Sequence, residues 1–357
     1  MKRNLIALGI AAAVALPLTA QAAPKVYGKL NVAVEKYELD AGGPLTTADV
    51  DNVQVSSYAS RFGVKGEDEL TATLSAVYLV EWQVNGDVTG ADLTARNRYV
   101  GLKHSGLGAI KLGAYDTNLK VAQGKVDLFN DTKGDLQSII SGETRASNVI
   151  GYESPKIADA VSLNLQLIPG EASGQPGTTP VTTSNNSYNG IADGISASVV
   201  YDKDDLYLAA AYDQEVAGNL VLTTSNLTTA RRDSYRLVAA YKIADLTLGA
   251  LYESSTGVNE PTISAAKDVE ETAWLLSAAY KIGDTTLKAQ YIAGENDVAV
   301  NAADATHYTL GVDYNFTSKT KAFGYYSAYE NDTGLTPATN TSSVEWTALA
   351  VGIEHNF

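Results

Sequence analysis

The sequence predicts an all-β fold, a 16-stranded antiparallel transmembrane β-barrel, on three observations. Apolar and polar residues alternate with a period of two in many stretches of about ten residues, as in strands with one apolar and one wet face. Short turns alternate with long polar loops along the whole chain. The chain ends on SVEWTALAVGIEHNF, where Leu349, Val351, Ile353 and Phe357 share one side with His355 as a polar exception, and Ala350, Gly352, Glu354 and Asn356 share the other. A bulky apolar row that stops at a terminal Phe is the form expected of a strand that closes a barrel in lipid.

Residues 1–22, MKRNLIALGIAAAVALPLTAQA, carry Lys2 and Arg3, an apolar run and the small-residue pattern Ala20-Gln21-Ala22. They read as an export signal cleaved before Ala23, which leaves 23–357 as the barrel domain. Losing Lys2 and Arg3 makes the formal charge of −15 more negative by two, and an acidic chain argues against nucleic acid as a partner. With no cysteine, neither a disulfide framework nor a thiolate metal site can form. Tyr numbers 21 against five Phe and one Met, a bias that suits positions with one apolar and one wet end better than a large dry core. Past the leader no apolar run approaches the roughly eighteen residues of a helical span, so any crossing of a membrane must use strands.

Taken in order, alternation and turns predict strands at 25–37, 53–64, 70–84, 93–103, 108–115, 147–155, 160–168 and 191–201 in the first half. The second half supplies 206–216, 233–243, 246–255, 271–282, 285–294, 305–316, 320–330 and 343–357. In the first strand Val26, Leu30, Val32 and Val34 oppose Lys29, Asn31 and Glu35. Gly66 to Glu69 is expected to be a short turn, followed by the long row Leu70, Ala72, Leu74, Ala76, Tyr78, Val80, Trp82 and Val84. The second half repeats strand, tight turn, strand, with Tyr201, Tyr241, Tyr280 and Tyr314 just before the turns, where an aromatic girdle belongs. An even count leaves both termini on the short-turn side. A soluble sandwich shares the alternation, but not the leader, the one-sided long loops and the placed tyrosines.

One connection breaks the hairpin rule. About thirty residues, DTNLKVAQGKVDLFNDTKGDLQSIISGETRA, separate the fifth and sixth strands and mix Leu119, Val121, Val126, Leu128, Phe129 and Leu136 with Asp127, Asp131, Asp135 and Glu143. A segment this long is usually functional. Folded into the barrel, it would pack its apolar residues on the wall and turn its carboxylates to the water path; left outside, it is an ordinary external loop. Arg61, Arg96, Arg98 and Arg145 lie within or at the ends of predicted strands. An Arg facing lipid near the midplane costs about 2–4 kcal/mol, so the lumen is the expected destination of all four.

The stretches SRFGVKGEDEL, NRYVGLKHSGLGAIKLGAYDT and RASNVIGYESP, with the ending VGIEHNF, resemble the sixteen-stranded general porins of Gram-negative outer membranes over essentially the whole mature chain. That resemblance implies a third loop folded inward to narrow the pore, a homotrimer in the outer membrane, and no cofactor. It places the basic side of the constriction at Arg61, at Arg96 or Arg98, and at Arg145, with Lys29 and Lys111 as further candidates, against Asp127, Asp131, Asp135 and Glu143. Ala114 departs from the family pattern, which often carries Arg there and so a stronger basic side. Phe357 resembles the signal read by barrel-assembly machinery.

Catalysis has little to draw on. His104, His307 and His355 are the only imidazoles, and neither GxSxG nor HExxH occurs. DKDD at 202–205 sits where a tight turn is expected and lacks the spaced ligands of a calcium loop. The expected function is passive diffusion of ions and small hydrophilic solutes, with a substrate-specific outer-membrane channel as the alternative. Outer-membrane lipid and lipopolysaccharide are the expected surroundings, the latter bridged by divalent ions at acidic loops.

Overall fold

The structure, a computed structural model, describes residues 23–40, 49–89, 93–170, 190–218, 220–222, 231–258, 268–297, 303–333 and 344–357. The leader at 1–22 and much of the loop at 169–190 lie outside the described residues. One antiparallel sheet closes on itself. Strand β1 (Lys25–Asp40) pairs along one edge with β17 (Val344–Asn356), and along the other with β2 (Val50–Ser57) and then β3 (Arg61–Thr71). β2 and β3 are two halves of one stave, broken at Tyr58–Ser60 where Ala59 takes a φ of 44°. Counted so, the barrel has sixteen staves.

The remaining staves follow in chain order, each paired with the next. They are β4 (Leu74–Val84), β5 (Leu93–His104), β6 (Gly108–Asp116), β7 (Arg145–Glu153), β8 (Val161–Ile168), β9 (Gly194–Lys203) and β10 (Leu206–Ala217). After them come β11 (Arg231–Ile243), β12 (Leu246–Gly257), β13 (Glu270–Ile282), β14 (Thr285–Asn296), β15 (Ala303–Asn315) and β16 (Thr320–Thr333). Closure leaves no edge strand, so the ladder groups of each stave find partners without water.

The alternation read from sequence maps onto the two faces. Leu349, Val351 and Ile353 of β17 are exposed on the outer surface, while Ala348 and Ala350 are fully buried inside. The outer face is an apolar band edged by aromatic rings. Tyr241, Tyr280 and Tyr314 border it on the short-turn side, and the cross-strand pairs Tyr235–Tyr252, Trp274–Tyr291 and Tyr308–Tyr326 border it on the long-loop side. Rings at both levels are where amphipathic aromatics meet headgroups.

The expected turn at Gly66–Glu69 is corrected. β3 runs on to Thr71, the turn falls at Ala72 and Thr73, and β4 starts at Leu74. The charged stretch KGEDE continues as strand because Lys65, Glu67 and Glu69 share the inner face with Arg61, where water solvates them. Gly66 faces outward beneath the Tyr78 ring, which occupies the space a β-carbon would need. The interior holds its own apolar cluster, Leu119, Val126, Leu136, Ile139 and Ile140 against Val238, Leu251, Leu275 and Ile292, in which the long loop meets the wall.

Candidate functional site

The long loop between β6 and β7 is built from short capped pieces. Thr117 accepts the amide of Lys120 at 3.2 Å and starts α1 (Asn118–Val121). Asp135 caps the 3-10 turn Leu136–Ser138 by accepting the Gln137 amide at 2.8 Å. Such local bonds satisfy backbone groups that a luminal segment cannot leave unpaired. Leu119, Val126, Phe129 and Leu136 are buried, whereas Val121, expected to pack on the wall, is exposed.

Wall contacts trace the loop round the inside of the barrel. Asn118 Nδ2 donates to the Ser196 carbonyl of β9 at 2.9 Å, and the Gly142 amide to Glu253 Oε1 of β12 at 2.7 Å. The Leu128 amide donates to Gln290 Oε1 of β14 at 2.8 Å, and Ser138 Oγ lies 2.7 Å from His307 Nδ1 of β15. At the tip, Asp131 takes a φ of 68° and its carboxylate meets Lys29 Nζ of β1 at 2.9 Å and the Arg61 guanidinium of β3. The loop therefore reaches the first staves of the sheet.

The four acidic loop residues divide into two kinds. Asp131 and Glu143 meet cations, Glu143 accepting from Arg236 Nη1 at 2.9 Å with Lys120 Nζ at 3.5 Å. Asp127 and Asp135 do not face the water path as expected; they bind the loop's own backbone. Asp127 accepts the amides of Phe129 and Leu136 at 3.1 and 3.2 Å and Gln290 Nε2 at 2.9 Å. Asp135 accepts the amides of Asp131 and Gln137. Burial pushes Asp127 up to about 6 against these bonds, and burial with the neighbouring Asp127 charge lifts Asp135 well above the usual range. Burial acts to raise Asp131 too, yet Lys29 and Arg61 outweigh it and hold that carboxyl below its ordinary value.

Of the predicted basic residues, Lys29 and Arg61 meet at Asp131, and Arg96 and Arg145 line the same wall. Arg96 Nε lies 2.8 Å from Glu81 Oε1, and Arg145 Nη2 3.1 Å from Asp116 Oδ1. Lys111 pairs with Glu153 at 2.6 Å and covers the Tyr99 ring. Arg98 goes elsewhere. A register shift between Val80 and Trp82 sets Arg96 and Asn97 against Glu81 and turns Arg98 outward, exposed and opposite Val80 and Ala114. The expectation that Arg98 joins the luminal wall is thus corrected, and its cause is the bulge.

Sequence reasoning also missed residues that matter. Glu81, Asp116 and Tyr27 complete the pairings of the arginine wall, Tyr27 donating to Glu81 Oε2 at 2.8 Å. Glu81 stood on the polar row of its strand, a signal that could have found it. Arg236, fully buried between Glu143 and Glu253, anchors the base of the loop. A second segment folds inward: the amides of Val221 and Leu222 donate to Ser141 Oγ and Glu271 Oε1, at 3.0 and 2.8 Å.

Beyond the cationic wall lies a cavity of about 570 Å³ lined by Lys25, Lys65, Lys103, Lys111, Glu67 and Glu153. Charges of both signs around a water-filled passage orient water and favour hydrated solutes over apolar ones. A closed barrel with an apolar outer band, a charged interior and a loop across its lumen defines an outer-membrane channel protein.

The model of the Gram-negative porin family matches residues 7–334, and the chain belongs to that family. Among curated relatives, the major outer membrane protein P.IB of Neisseria meningitidis serogroup B is 24% identical over the full length of both chains. That of Neisseria gonorrhoeae is 28% identical over 50% of this chain and 51% of its own, so the chain spans about half the length of several relatives it matches. The anion-selective porin from Comamonas acidovorans superposes with a TM-score of 0.69 at 18% identity, covering 94% of this chain and 99% of that one. The trimer form of OmpT from Vibrio cholerae gives 0.61 at 18% identity, covering 94% and 99%. Family and barrel together place the chain in the outer membrane.

Proposed function

We propose that this chain is a passive diffusion channel for ions and small hydrophilic solutes, without a cofactor and without catalysis. The observation that carries the reading is the Asp131 carboxylate held against Lys29 and Arg61, which ties the loop across the lumen beside Arg96 and Arg145. Solutes pass the charged gap that remains, where fixed ion pairs select for hydration and size. The trimer form of a structural neighbour supports a homotrimer here as well. Folded, heat-modifiable protein in a planar bilayer should give ohmic conductance steps; complete silence would sink the reading.

A further inference from the structure

Glu271, the second residue of β13, stands on the inner face at the long-loop end and is 3% exposed. Its Oε1 accepts the Leu222 amide at 2.8 Å, and its Oε2 accepts the Val221 amide at 3.2 Å and the Ser141 hydroxyl. One buried carboxylate thus receives donors from two chain segments, the long loop and the stretch that follows β10. Charge-assisted bonds of this kind are the strong ones, and they offset the burial of the carboxylate.

The stretch after β10 is packed as well as bonded. Leu220 and Leu222 are fully buried, and Leu222 shares one cluster with Ile139 of the long loop and with Leu275 and Ile292 of the wall. Gly294 of β14 leaves the room that Ile139 and Leu222 take. Asn296, the β14 partner of Glu271, donates through Nδ2 to the Leu222 carbonyl. Residues 220–222 therefore cap, on the long-loop side, the apolar cluster with which the loop fills the lumen along β11 to β14. With β2 and β3 counted as one stave, β13 and β5 are the twelfth and fourth of sixteen and face each other across the barrel. The filled side thus lies opposite Arg96 and the cationic wall.

We infer that residues 220–222 form a second inward wall of the channel, held in place by Glu271 as a positioning residue, and that this wall and the long loop together confine the water path to the side of β1 and β3 to β7. The inference rests on the diffusion-channel reading above and adds to it a second narrowing element. Its chemistry requires a carboxylate. A carboxamide of the same shape keeps one acceptor oxygen and turns an N–H donor toward the remaining amide. Glu271→Gln therefore releases the segment while keeping the volume of the side chain.

The chain has no cysteine, so Leu222→Cys and Leu119→Cys each supply a single thiol, both at fully buried positions inside the barrel. In folded, heat-modifiable protein, adding Glu271→Gln should let a water-soluble thiol reagent label position 222 about tenfold faster, and position 119 at an unchanged rate. In planar bilayers Glu271→Gln should raise the single-channel conductance and bring several-fold more open-channel noise. Asn296→Asp turns a carboxylate toward the Leu222 carbonyl; it should act in the same direction and serves where Glu271→Gln does not fold. An unchanged rate at 222 overturns the hold. Equal acceleration at both positions means that the whole interior has loosened, and overturns it too. Faster labelling at 222 with native conductance and noise overturns the second wall. Silence of the native protein in the bilayer overturns the diffusion reading and the wall with it, while the labelling rates still decide whether Glu271 holds the segment.

Discussion

Asp131 at the tip of the long loop accepts a hydrogen bond from Lys29 Nζ at 2.9 Å, across 102 residues of sequence. Arg61 joins from the neighbouring strand, so one carboxylate offsets two cations inside the lumen. Hydrogen bonds to charged groups contribute about 1.5–3 kcal/mol each, enough to hold a loop tip. Local electrostatics at this point, rather than the acidic total of the chain, should set the ion preference, since distant charges are screened within about 8–10 Å.

Asp131→Asn should therefore leave Lys29 and Arg61 uncompensated and lower the cation-to-anion permeability ratio by a factor of several. The reversal potential in a salt gradient reads this directly. Because the native carboxyl sits below its ordinary value of 3.8, its contribution to the tether is present above that value and is lost only as pH falls through the lowered one. Selectivity of the native channel should accordingly stay flat from pH 7 to pH 5. An unchanged reversal potential in the variant would place the constriction elsewhere.

Asp127 should behave in the opposite manner. Its carboxylate is turned into the loop, so Asp127→Asn should leave the reversal potential near the native value while loosening the turn that Phe129, Leu136 and Gln290 build around it. A lost or mismatched buried bond costs about 1–3 kcal/mol, visible as a lower unfolding temperature and a noisier open channel. The pH dependence also has a sign. An acid raised to about 6 contributes stability fully below its ordinary value, and that contribution is lost as pH rises through about 6. The stability gap between native protein and variant should narrow from pH 5 to pH 7; a widening gap contradicts the burial.

Period-two alternation made the staves legible, because a strand at a lipid–water boundary must sort its side chains by face. Bulges were not legible. The extra residue at Arg96–Asn97 depends on how β5 pairs with β4, and one residue of shift decides whether Arg98 meets water or hydrocarbon. The charged run after Gly63 imitated a turn because inward-facing charges and turn charges have the same composition. In the loop, residue type announced carboxylates but not their direction: Asp127 and Asp135 sit where backbone amides converge, a geometry no spacing reveals. Arg236 was overlooked because its partner Glu143 lies 93 residues away.

Arg236 is the sharpest stability test. It is fully buried, with Nη1 2.9 Å from Glu143 Oε1 of the loop and Nη2 2.6 Å from Glu253 Oε2 of β12. Removing one partner of a buried network leaves unmatched charge and costs about 3–5 kcal/mol. Arg236→Met should lower the unfolding temperature of the folded barrel and free the base of the loop, raising single-channel conductance. Arg236→Met with Glu143→Gln and Glu253→Gln together should recover part of the stability, since no carboxylate is then stranded. If the triple variant is no better than the single one, the cost is lost shape rather than lost charge.

The seam of the barrel supplies the last test. The Phe357 amide donates to the Gly28 carbonyl at 3.0 Å, and the Gly28 amide donates back to the main-chain oxygen of Phe357 at 3.2 Å. The terminal ring lies over Gly28, and ring atom Cζ occupies the space a β-carbon there would need. A side chain at 28 and an aromatic ring at 357 therefore compete for one space on the outer face. Gly28→Val should displace the ring and also strain the β1–β3 ladder, since a β-carbon at 28 falls 2.8 Å from the Arg61 carbonyl oxygen, while leaving the chain end intact; deletion of Phe357 should remove ring and bonds together. Both changes act where the first stave meets the last, the step that turns an open sheet into a barrel. If Phe357 is also the residue that assembly machinery grips, deletion should cut the yield of heat-modifiable protein in the outer membrane far more than Gly28→Val does. The conductance of each assembled channel should be unchanged in both variants, because neither residue borders the lumen. Equal losses of yield would show that the seam contacts, rather than recognition of the terminal residue, limit assembly.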